Sequence, residues 1–214
     1  MKITMINGSP KAKNSASESL LSILKGYCNL AAPDLVLNKI VIEEENMAEI
    51  WKSDALVIAF PLYIDSVPSH LLRCLIQIEE YARLHGQERT SEETIKVYVV
   101  INNGFFQGKQ NMPAIEVMQH WTKRCGFEFG QAVGVGGGGM INFIKNVPDG
   151  HGPKKNLTVA LREMAGNILQ KKSGETKVFE LNYPAWAYKW QAEYGWRMAA
   201  RKNGLKSKDL NKRA

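Results

Sequence analysis

The chain has 214 residues and a net charge of +7; 44% of its residues are hydrophobic and 23% are charged, which fits one globular domain with a sizeable core. The three cysteines, Cys28, Cys74 and Cys125, are odd in number and far apart, which argues against a disulfide framework and against clustered metal ligands. No apolar run approaches the length of a membrane span and no leader precedes the first predicted strand, so we expect a cytoplasmic protein without a membrane span.

The N-terminal segment is the most informative part of the sequence, because an apolar strand runs directly into a polar loop and then a helix. The run from Lys2 to Ile6 predicts a buried parallel strand, and Ala16–Tyr27 carries a helical apolar stripe. The loop between them begins with Gly8 and lies at the carboxyl end of the strand. There the first turn of the next helix offers unpaired N–H groups and a positive dipole end to an anion.

This loop and the first helical residues therefore form a candidate phosphate site. The candidate ligands are the polar, basic and first helical residues of the segment: Ser9, Lys11, Asn14, Ser15, Ala16 and Ser17. Hydroxyl and amide groups donate hydrogen bonds to a phosphate, and a lysine neutralises its charge. The alternative is that Ser15 or Asn14 merely caps the helix. The spacing matches neither a P-loop nor the dinucleotide fingerprint, which disfavours those two kinds of nucleotide cleft.

The rest of the first 175 residues alternates between strand and helix patterns, which predicts a single α/β domain. Four more strands are predicted at Leu35–Val41, Ala55–Phe60, Ile95–Ile101 and Phe127–Val135. Helices are predicted around Ala48–Trp51, after Pro68, and over Ala114–Arg124 and Lys154–Gln170. Residues 176–214 are interpreted as a C-terminal extension that packs on this domain or on a dimer partner.

Two further loops follow predicted strands at the edge of the sheet where the first loop lies. The loop after the third strand contains Pro61, Leu62, Tyr63 and Ile64, and the loop after the fourth contains Asn102, Asn103, Gly104 and Phe105. Ligands bind at this edge in open α/β sheets, so all eight residues are candidates for contact with a ring-shaped ligand. The alternative for both loops is that their apolar side chains simply close the top of the core.

These three segments in this order resemble the motifs of the flavodoxin-fold FMN-dependent NAD(P)H oxidoreductases, over roughly residues 1 to 170. The resemblance implies a flavodoxin-like doubly wound sheet of five parallel strands in the order 2-1-3-4-5, with right-handed crossovers. It also implies that the first loop holds the FMN phosphate and that the other two contact the isoalloxazine ring. By the same resemblance, the backbone N–H groups of Leu62, Tyr63 and Ile64 donate hydrogen bonds to the ring, and NAD(P)H is the co-substrate.

The resemblance further implies that the flavin carries the chemistry and that no catalytic side chain is needed. Some relatives hold an iron–sulfur cluster on closely spaced cysteines. Because the three cysteines of this chain are far apart, we expect flavin without a metal.

A run of four glycines, Gly136–Gly139, follows the fifth predicted strand. Consecutive glycines are costly in chain entropy unless close approach or mobility is needed. Together with residues 146–153, this run is interpreted as a mobile lid over the ligand, as part of the binding site for a second substrate, or as an ordinary flexible turn. His151 in the second segment is a candidate proton donor to a quinone oxygen or a plain exposed histidine.

The C-terminal extension combines aromatic and basic residues. Trp186, Trp190, Glu193 and Arg197 fall on one helical stripe, and lysine and arginine dominate from Arg197 onward. Nucleic acid or an anionic membrane surface could attract such a segment. We expect instead that it packs on its own domain or contributes to a homodimer, or that its charge steers NAD(P)H or an acidic substrate, and we expect no nucleic-acid partner.

Two functional classes follow from these observations. The first is an FMN-dependent oxidoreductase that passes electrons from NAD(P)H to a small-molecule acceptor such as a quinone, a nitro compound or an azo compound. The alternative is a flavodoxin-like electron carrier that meets a protein partner. Known flavodoxins are markedly acidic and this chain is basic, which favours the enzyme. A third class, a non-redox protein that binds another phosphate compound, leaves the second and third loops unexplained.

Overall fold

The structure, a computed structural model, describes residues 1–11, 13–29, 42–86, 94–206 and 209–210, and the backbone alone of residues 34–36. It divides into two compact units, Met1–Leu181 and Asn182–Ala214. Unit 1 contains alternating strands and helices, and unit 2 contains one long helix. Among the described residues, none of the helices combines the length and the apolar character that crossing a bilayer requires.

In chain order, the strands and helices of the described residues are β1 (Ile3–Asn7), α1 (Ala16–Tyr27), β2 (Asp34–Val36), α2 (Glu44–Trp51), β3 (Ala55–Pro61), α3 (Ser69–His85), β4 (Lys96–Asn102), α4 (Met112–Arg124), β5 (Glu128–Val135), α5 (Lys155–Leu169), β6 (Lys177–Phe179) and α6 (Ala185–Lys202). Short 3₁₀ turns occupy Gly108–Asn111, Gly138–Met140 and Gly152–Lys154. The α/β class expected from the sequence is confirmed.

All paired strands are parallel, and their order across the sheet is β2-β1-β3-β4-β5-β6. The prediction of five strands is wrong for the described sheet, which has six. The sixth, β6, has three half-buried residues at the sheet edge, too few to give a periodic pattern. It pairs with β5, so the sheet continues past residue 175, where the extension was predicted to begin. Of the predicted second strand, residues 37–41 lie outside the described residues.

The centre of the sheet is apolar on both faces, as a parallel sheet requires. Every residue of β4 is buried, as are the first six residues of β3. Among the helices, α1 contacts α5, whereas α3 contacts α2 and α4, the two groups expected when helices cover both faces. The polar atoms of two large rings in the core are satisfied: the Tyr98 hydroxyl lies 3.0 Å from the Asn167 carbonyl oxygen and 2.9 Å from that of Lys172, and the Trp121 indole N–H donates to the Leu75 carbonyl oxygen at 2.8 Å.

The three cysteines are free and buried. Burial raises the pKa of the Cys28 thiol to about 11 and that of Cys125 to about 12, and it also raises the pKa of Cys74. These thiols therefore pack in the interior as small apolar groups and stay protonated at neutral pH.

We predict that the native protein reacts slowly with a thiol-specific disulfide reagent at pH 8, because the attacking species is the thiolate and all three sulfurs are buried. Absorbance of the released thiol measures the reaction. The same protein in denaturant is the control and should release three equivalents within minutes. Rapid labelling of any one cysteine in the native protein would contradict this assignment.

Candidate functional site

The parallel arrangement brings the segments that follow β1, β3, β4 and β5 to one edge of the sheet. They are called here the β1 loop (residues 8–15, with residue 12 outside the description), the β3 loop (62–68), the β4 loop (103–107) and the β5 segment (136–154). The hydrogen bonds and the exposure of each segment determine which of the predicted residues can contact a ligand.

The β1 loop is held by its own polar groups. The Asn7 side-chain oxygen accepts a hydrogen bond from the Ser9 N–H at 3.1 Å, and the Ser9 hydroxyl accepts one from the Lys11 N–H at 3.3 Å. The Lys11 ammonium donates to the Asn14 carbonyl oxygen at 3.2 Å, so its charge stays beside the loop backbone. Asn14 adopts a left-handed φ of 55°, which asparagine tolerates better than most residues.

Gly8 packs closely against α3, and it is not among the glycines with a left-handed backbone. A Cβ atom at this position would lie 2.5 Å from Cδ2 of Leu71 in α3. The Gly8 N–H donates to the Ala59 carbonyl oxygen at 2.8 Å, and Nε2 of His70 lies 3.0 Å from the Gly8 carbonyl oxygen. His70 therefore links the start of α3 to the β1 loop.

Ser15 is the N-cap of α1. Its hydroxyl accepts a hydrogen bond from the Glu18 N–H at 3.0 Å, and the Glu18 carboxylate accepts one from the Ser15 N–H at 3.2 Å, forming a complete capping box. The capping interpretation is therefore correct for Ser15. In the described part of the chain, the N–H groups of Ala16 and Ser17 have no protein acceptor, so they are the donors that the positive end of α1 offers to an anion.

Asn102, the last residue of β4, joins three of the predicted segments. Its side-chain oxygen accepts a hydrogen bond from the Ser17 hydroxyl at 3.1 Å, and its backbone carbonyl accepts one from the Leu62 N–H at 2.7 Å. Ser17 and Asn102 are both buried. The start of α1, the β3 loop and the β4 loop therefore meet at one residue.

The β3 loop is a tight hairpin that uses two of the donors assigned to a ligand. Leu62 N–H bonds to Asn102, and the N–H of Tyr63 donates to the Ser66 carbonyl oxygen at 3.0 Å. The prediction that these two N–H groups face a ring is wrong in this structure, because the hairpin and the neighbouring strand already use them. Ile64 N–H makes no bond to the described protein, and Pro61 before the turn is half-buried.

The tip of this hairpin is strained. Ile64 and Asp65 have φ values of 48° and 57°, the left-handed pair that a two-residue hairpin needs. Asparagine and glycine normally occupy such positions, and a β-branched residue there is an outlier. The Ile64 side chain is fully exposed, so packing in this chain does not explain its presence. Strained backbone of this kind clusters at ligand-binding sites.

The β4 loop presents one open face. A Cβ atom at Gly104 would meet nothing within 4 Å, and Phe105 is 57% exposed, so this phenylalanine does not fold into the core. Asn103 differs: it is buried, and its amide nitrogen donates to the Gln107 carbonyl oxygen at 3.1 Å. Its side-chain oxygen has no donor among the described residues, which leaves one unsatisfied acceptor inside the loop.

The glycine run packs against the β4 loop. Gly136, Gly137 and Gly138 are buried, and the N–H groups of Gly137 and Gly138 donate to the carbonyl oxygens of Phe105 and Asn103, both at 2.6 Å. A Cβ atom at Gly138 would lie 2.8 Å from the Asn103 carbonyl oxygen. Of the two reasons for consecutive glycines, close backbone approach therefore describes Gly136, Gly137 and Gly138 in this structure.

The remainder of the β5 segment is also anchored. The Asn142 amide donates to the Asn14 carbonyl oxygen at 2.8 Å, a link to the β1 loop that sequence reasoning did not find. Asp149 accepts a hydrogen bond from the Tyr27 hydroxyl at 2.6 Å and pairs with the Lys154 ammonium at 2.7 Å. That hydrogen bond from Lys154 lowers the pKa of Asp149. His151 is exposed, with Nδ1 2.9 Å from the Asp149 carbonyl oxygen.

The described residues fit FMN in part. The free N–H groups of Ala16 and Ser17, with Lys11 beside the loop, suit a phosphate. The open face at Gly104 and the exposed ring of Phe105 suit a flat ring, and Asn103 adds an unsatisfied acceptor. No group of three or more histidine, cysteine or carboxylate side chains that could hold a metal occurs within the described residues.

Comparison with known proteins supports the fold. Neither a protein-family model nor a curated protein matches the sequence significantly. Among solved structures, the chain resembles the Trp repressor binding protein from Bacillus subtilis, with 17% identity, a TM-score of 0.57, and coverage of 80% of this chain and 100% of that one. An apo NADH:FMN oxidoreductase matches with 13% identity, a TM-score of 0.56, and coverage of 85% and 95%. An NADPH-quinone reductase from P. pentosaceus matches with 16% identity, a TM-score of 0.52, and coverage of 77% and 98%.

These similarities span nearly the whole length of the neighbouring structures, at identities that establish shared architecture alone. The flavodoxin-like fold that the three loops led us to expect is confirmed.

We predict that replacing Ile64 with asparagine stabilises the protein by about 1 kcal/mol, because asparagine adopts the left-handed conformation at lower cost and no packing is lost. Urea unfolding measures the change. Leu84→Asn is the matched control, since Leu84 is also largely exposed but lies in α3; we expect it to lose a few tenths of a kcal/mol. A loss of stability in Ile64→Asn would show that the turn is unstrained.

Proposed function

We propose that this protein is an FMN-dependent oxidoreductase that uses NAD(P)H to reduce a small-molecule acceptor such as a quinone, a nitro compound or an azo compound. The observation that carries the proposal is the convergence of the start of α1, the β3 loop and the β4 loop on Asn102. The fold adds support, because its neighbours include proteins described as an NADPH-quinone reductase and an NADH:FMN oxidoreductase.

The start of α1 would hold the FMN phosphate. The free N–H groups of Ala16 and Ser17 would donate to the phosphate at the end of α1 where the helix dipole is positive. Ser9 and Ser15 add hydroxyl donors, and Lys11 and Asn14 complete the ligands of the loop. The Glu18 carboxylate also lies at this end of α1 and opposes a second anion, but it is exposed, so water screens its charge.

The β3 and β4 loops would hold the flavin ring. Ile64 retains a free N–H, and Asn103 retains a free acceptor, which match the acceptor and donor groups on the edge of an isoalloxazine ring. Gly104 lets the ring approach the backbone, and Phe105 offers a ring face. The backbone that positions Ile64 and Gly104 against the ring would be formed by Pro61, Leu62, Tyr63 and Asn102.

Bound FMN would supply the hydride chemistry, so the chain needs to bind, orient and shield the ring rather than move protons through a catalytic side chain. The rigid β5 segment contributes by bracing the β4 loop. Because Gly137 and Gly138 donate to the backbone of the β4 loop, the open face at Gly104 is held in position before a ligand arrives.

The decisive measurement is the visible absorption spectrum of the purified protein with FMN, before and after removal of excess, followed by anaerobic NADH and NADPH. We expect flavin to stay bound and to bleach rapidly with one of the two nucleotides. Flavin that binds without being reduced would favour the electron carrier. Absence of binding would contradict the proposal.

Replacing Ser15 with aspartate should raise the dissociation constant for FMN more than tenfold, that is by more than about 1.4 kcal/mol, because a negative charge then faces the phosphate. Aspartate is as good an N-cap as serine, so α1 should remain folded. Titration with FMN fluorescence measures the affinity.

Ser22→Asp is the matched control, since it adds the same charge at an exposed position further along α1. We expect it to bind FMN nearly as tightly as the unaltered protein. Equal affinities for the Ser15 and Ser22 variants would remove the β1 loop from the phosphate site.

A further inference from the structure

Helix α6 exposes an unusual number of large aromatic side chains. Trp186, Trp190, Tyr194 and Trp196 are 76%, 67%, 56% and 65% exposed. Three of the five tryptophans of the whole chain lie in this one helix. Aromatic side chains dominate the energetics of binding surfaces, so their exposure indicates a surface that meets a partner.

The charge of the chain is concentrated in the same unit. Residues 182–214 contain eight lysines and arginines but only two acidic residues, Glu193 and Asp209, so they carry +6 of the net charge of +7. Residues 1–181 are almost neutral. Glu193 is itself paired, because its carboxylate lies 3.4 Å from the Arg197 guanidinium.

The aromatic and basic residues follow one another along the chain. The exposed rings occupy positions 186 to 196, and all but one of the eight cations of unit 2 lie between Arg197 and Arg213. This order suits a helix that lies in the headgroup region of a bilayer, where indole and phenol rings sit at the boundary and lysine and arginine pair with anionic headgroups.

We propose that α6, which carries Lys189, Arg197, Arg201 and Lys202 together with its exposed rings, is a docking surface for an anionic lipid bilayer, on which the helix lies without crossing the membrane. The charge and the aromatic content both match such a surface.

Two other occupants fit less well. A second copy of α6 would bring the same strong positive charge to the interface, which opposes pairing. Single-stranded nucleic acid would need open ring faces for base stacking. Trp190 and Tyr194 instead stack on each other, with ring centroids 5.9 Å apart and planes inclined by 17°.

The test is flotation of the full-length protein with vesicles, using neutral phosphatidylcholine and a mixture with anionic phosphatidylglycerol. We expect binding to the anionic vesicles to be at least tenfold tighter, and to be lost at about 1 M salt, where the screening length falls to about 3 Å. Tryptophan emission should shift to shorter wavelength on binding, because three exposed indoles leave water.

Paired variants separate the two contributions. Trp186→Ala with Trp190→Ala should weaken vesicle binding at least tenfold, whereas Phe143→Ala, which removes an equally exposed ring from unit 1, should not. Arg197→Gln with Arg201→Gln should weaken binding similarly, whereas Arg73→Gln with Arg83→Gln, two exposed arginines of α3, should not.

Three results would overturn the proposal. These are equal binding to neutral and anionic vesicles, tighter binding to single-stranded DNA than to anionic vesicles, and self-association that depends on Trp186 and Trp190 without vesicle binding. The vesicles contain no quinone and the assay needs no FMN. Its failure is therefore distinguishable from a failure of the proposed oxidoreductase activity.

Discussion

The hydrogen bonds of Asn102 hold the candidate site together. This residue ends β4, beside Pro61 of β3 and Val135 of β5 in the sheet register. Its side chain accepts from Ser17 and its backbone accepts from Leu62. Because Ser17 and Asn102 are buried, losing either partner would leave a polar group without a hydrogen bond, at a cost of about 1 to 3 kcal/mol. The position of the first helix is thereby coupled to that of both loops that follow the central strands.

Close backbone approach shapes the rest of the site. Gly8 lets the β1 loop reach α3, and Gly138 lets the β5 segment reach the β4 loop. A side chain at Gly138 would meet the Asn103 backbone, and one at Gly8 would displace the Leu71 side chain, so both glycines serve close packing. The hairpin tip at Ile64 is different: the Tyr63–Ser66 hydrogen bonds hold its left-handed backbone, but the fully exposed side chain gains no packing among the described residues.

The two units differ in net charge and in the number of exposed tryptophans. Unit 1 is almost neutral and contains the sheet with its loops, whereas unit 2 carries most of the positive charge and three exposed tryptophans. A reductase with a membrane-docking helix would meet acceptors that dissolve in lipid at a raised local concentration.

Local patterns in the sequence were sufficient to determine much of this protein. The apolar runs of β1, β3, β4 and β5 predict buried parallel strands, and parallel strands oblige their following loops to meet at one edge. Tertiary structure alone decided which groups remain free at that edge. The Leu62 N–H donates to Asn102, forty residues away, and the glycine run donates to the β4 loop. Both sets of hydrogen bonds join segments that are distant in the sequence, so no local pattern predicts them. The short strand β6 and the Asn142 link to the β1 loop arise in the same way, from partners that become neighbours only after the sheet has formed.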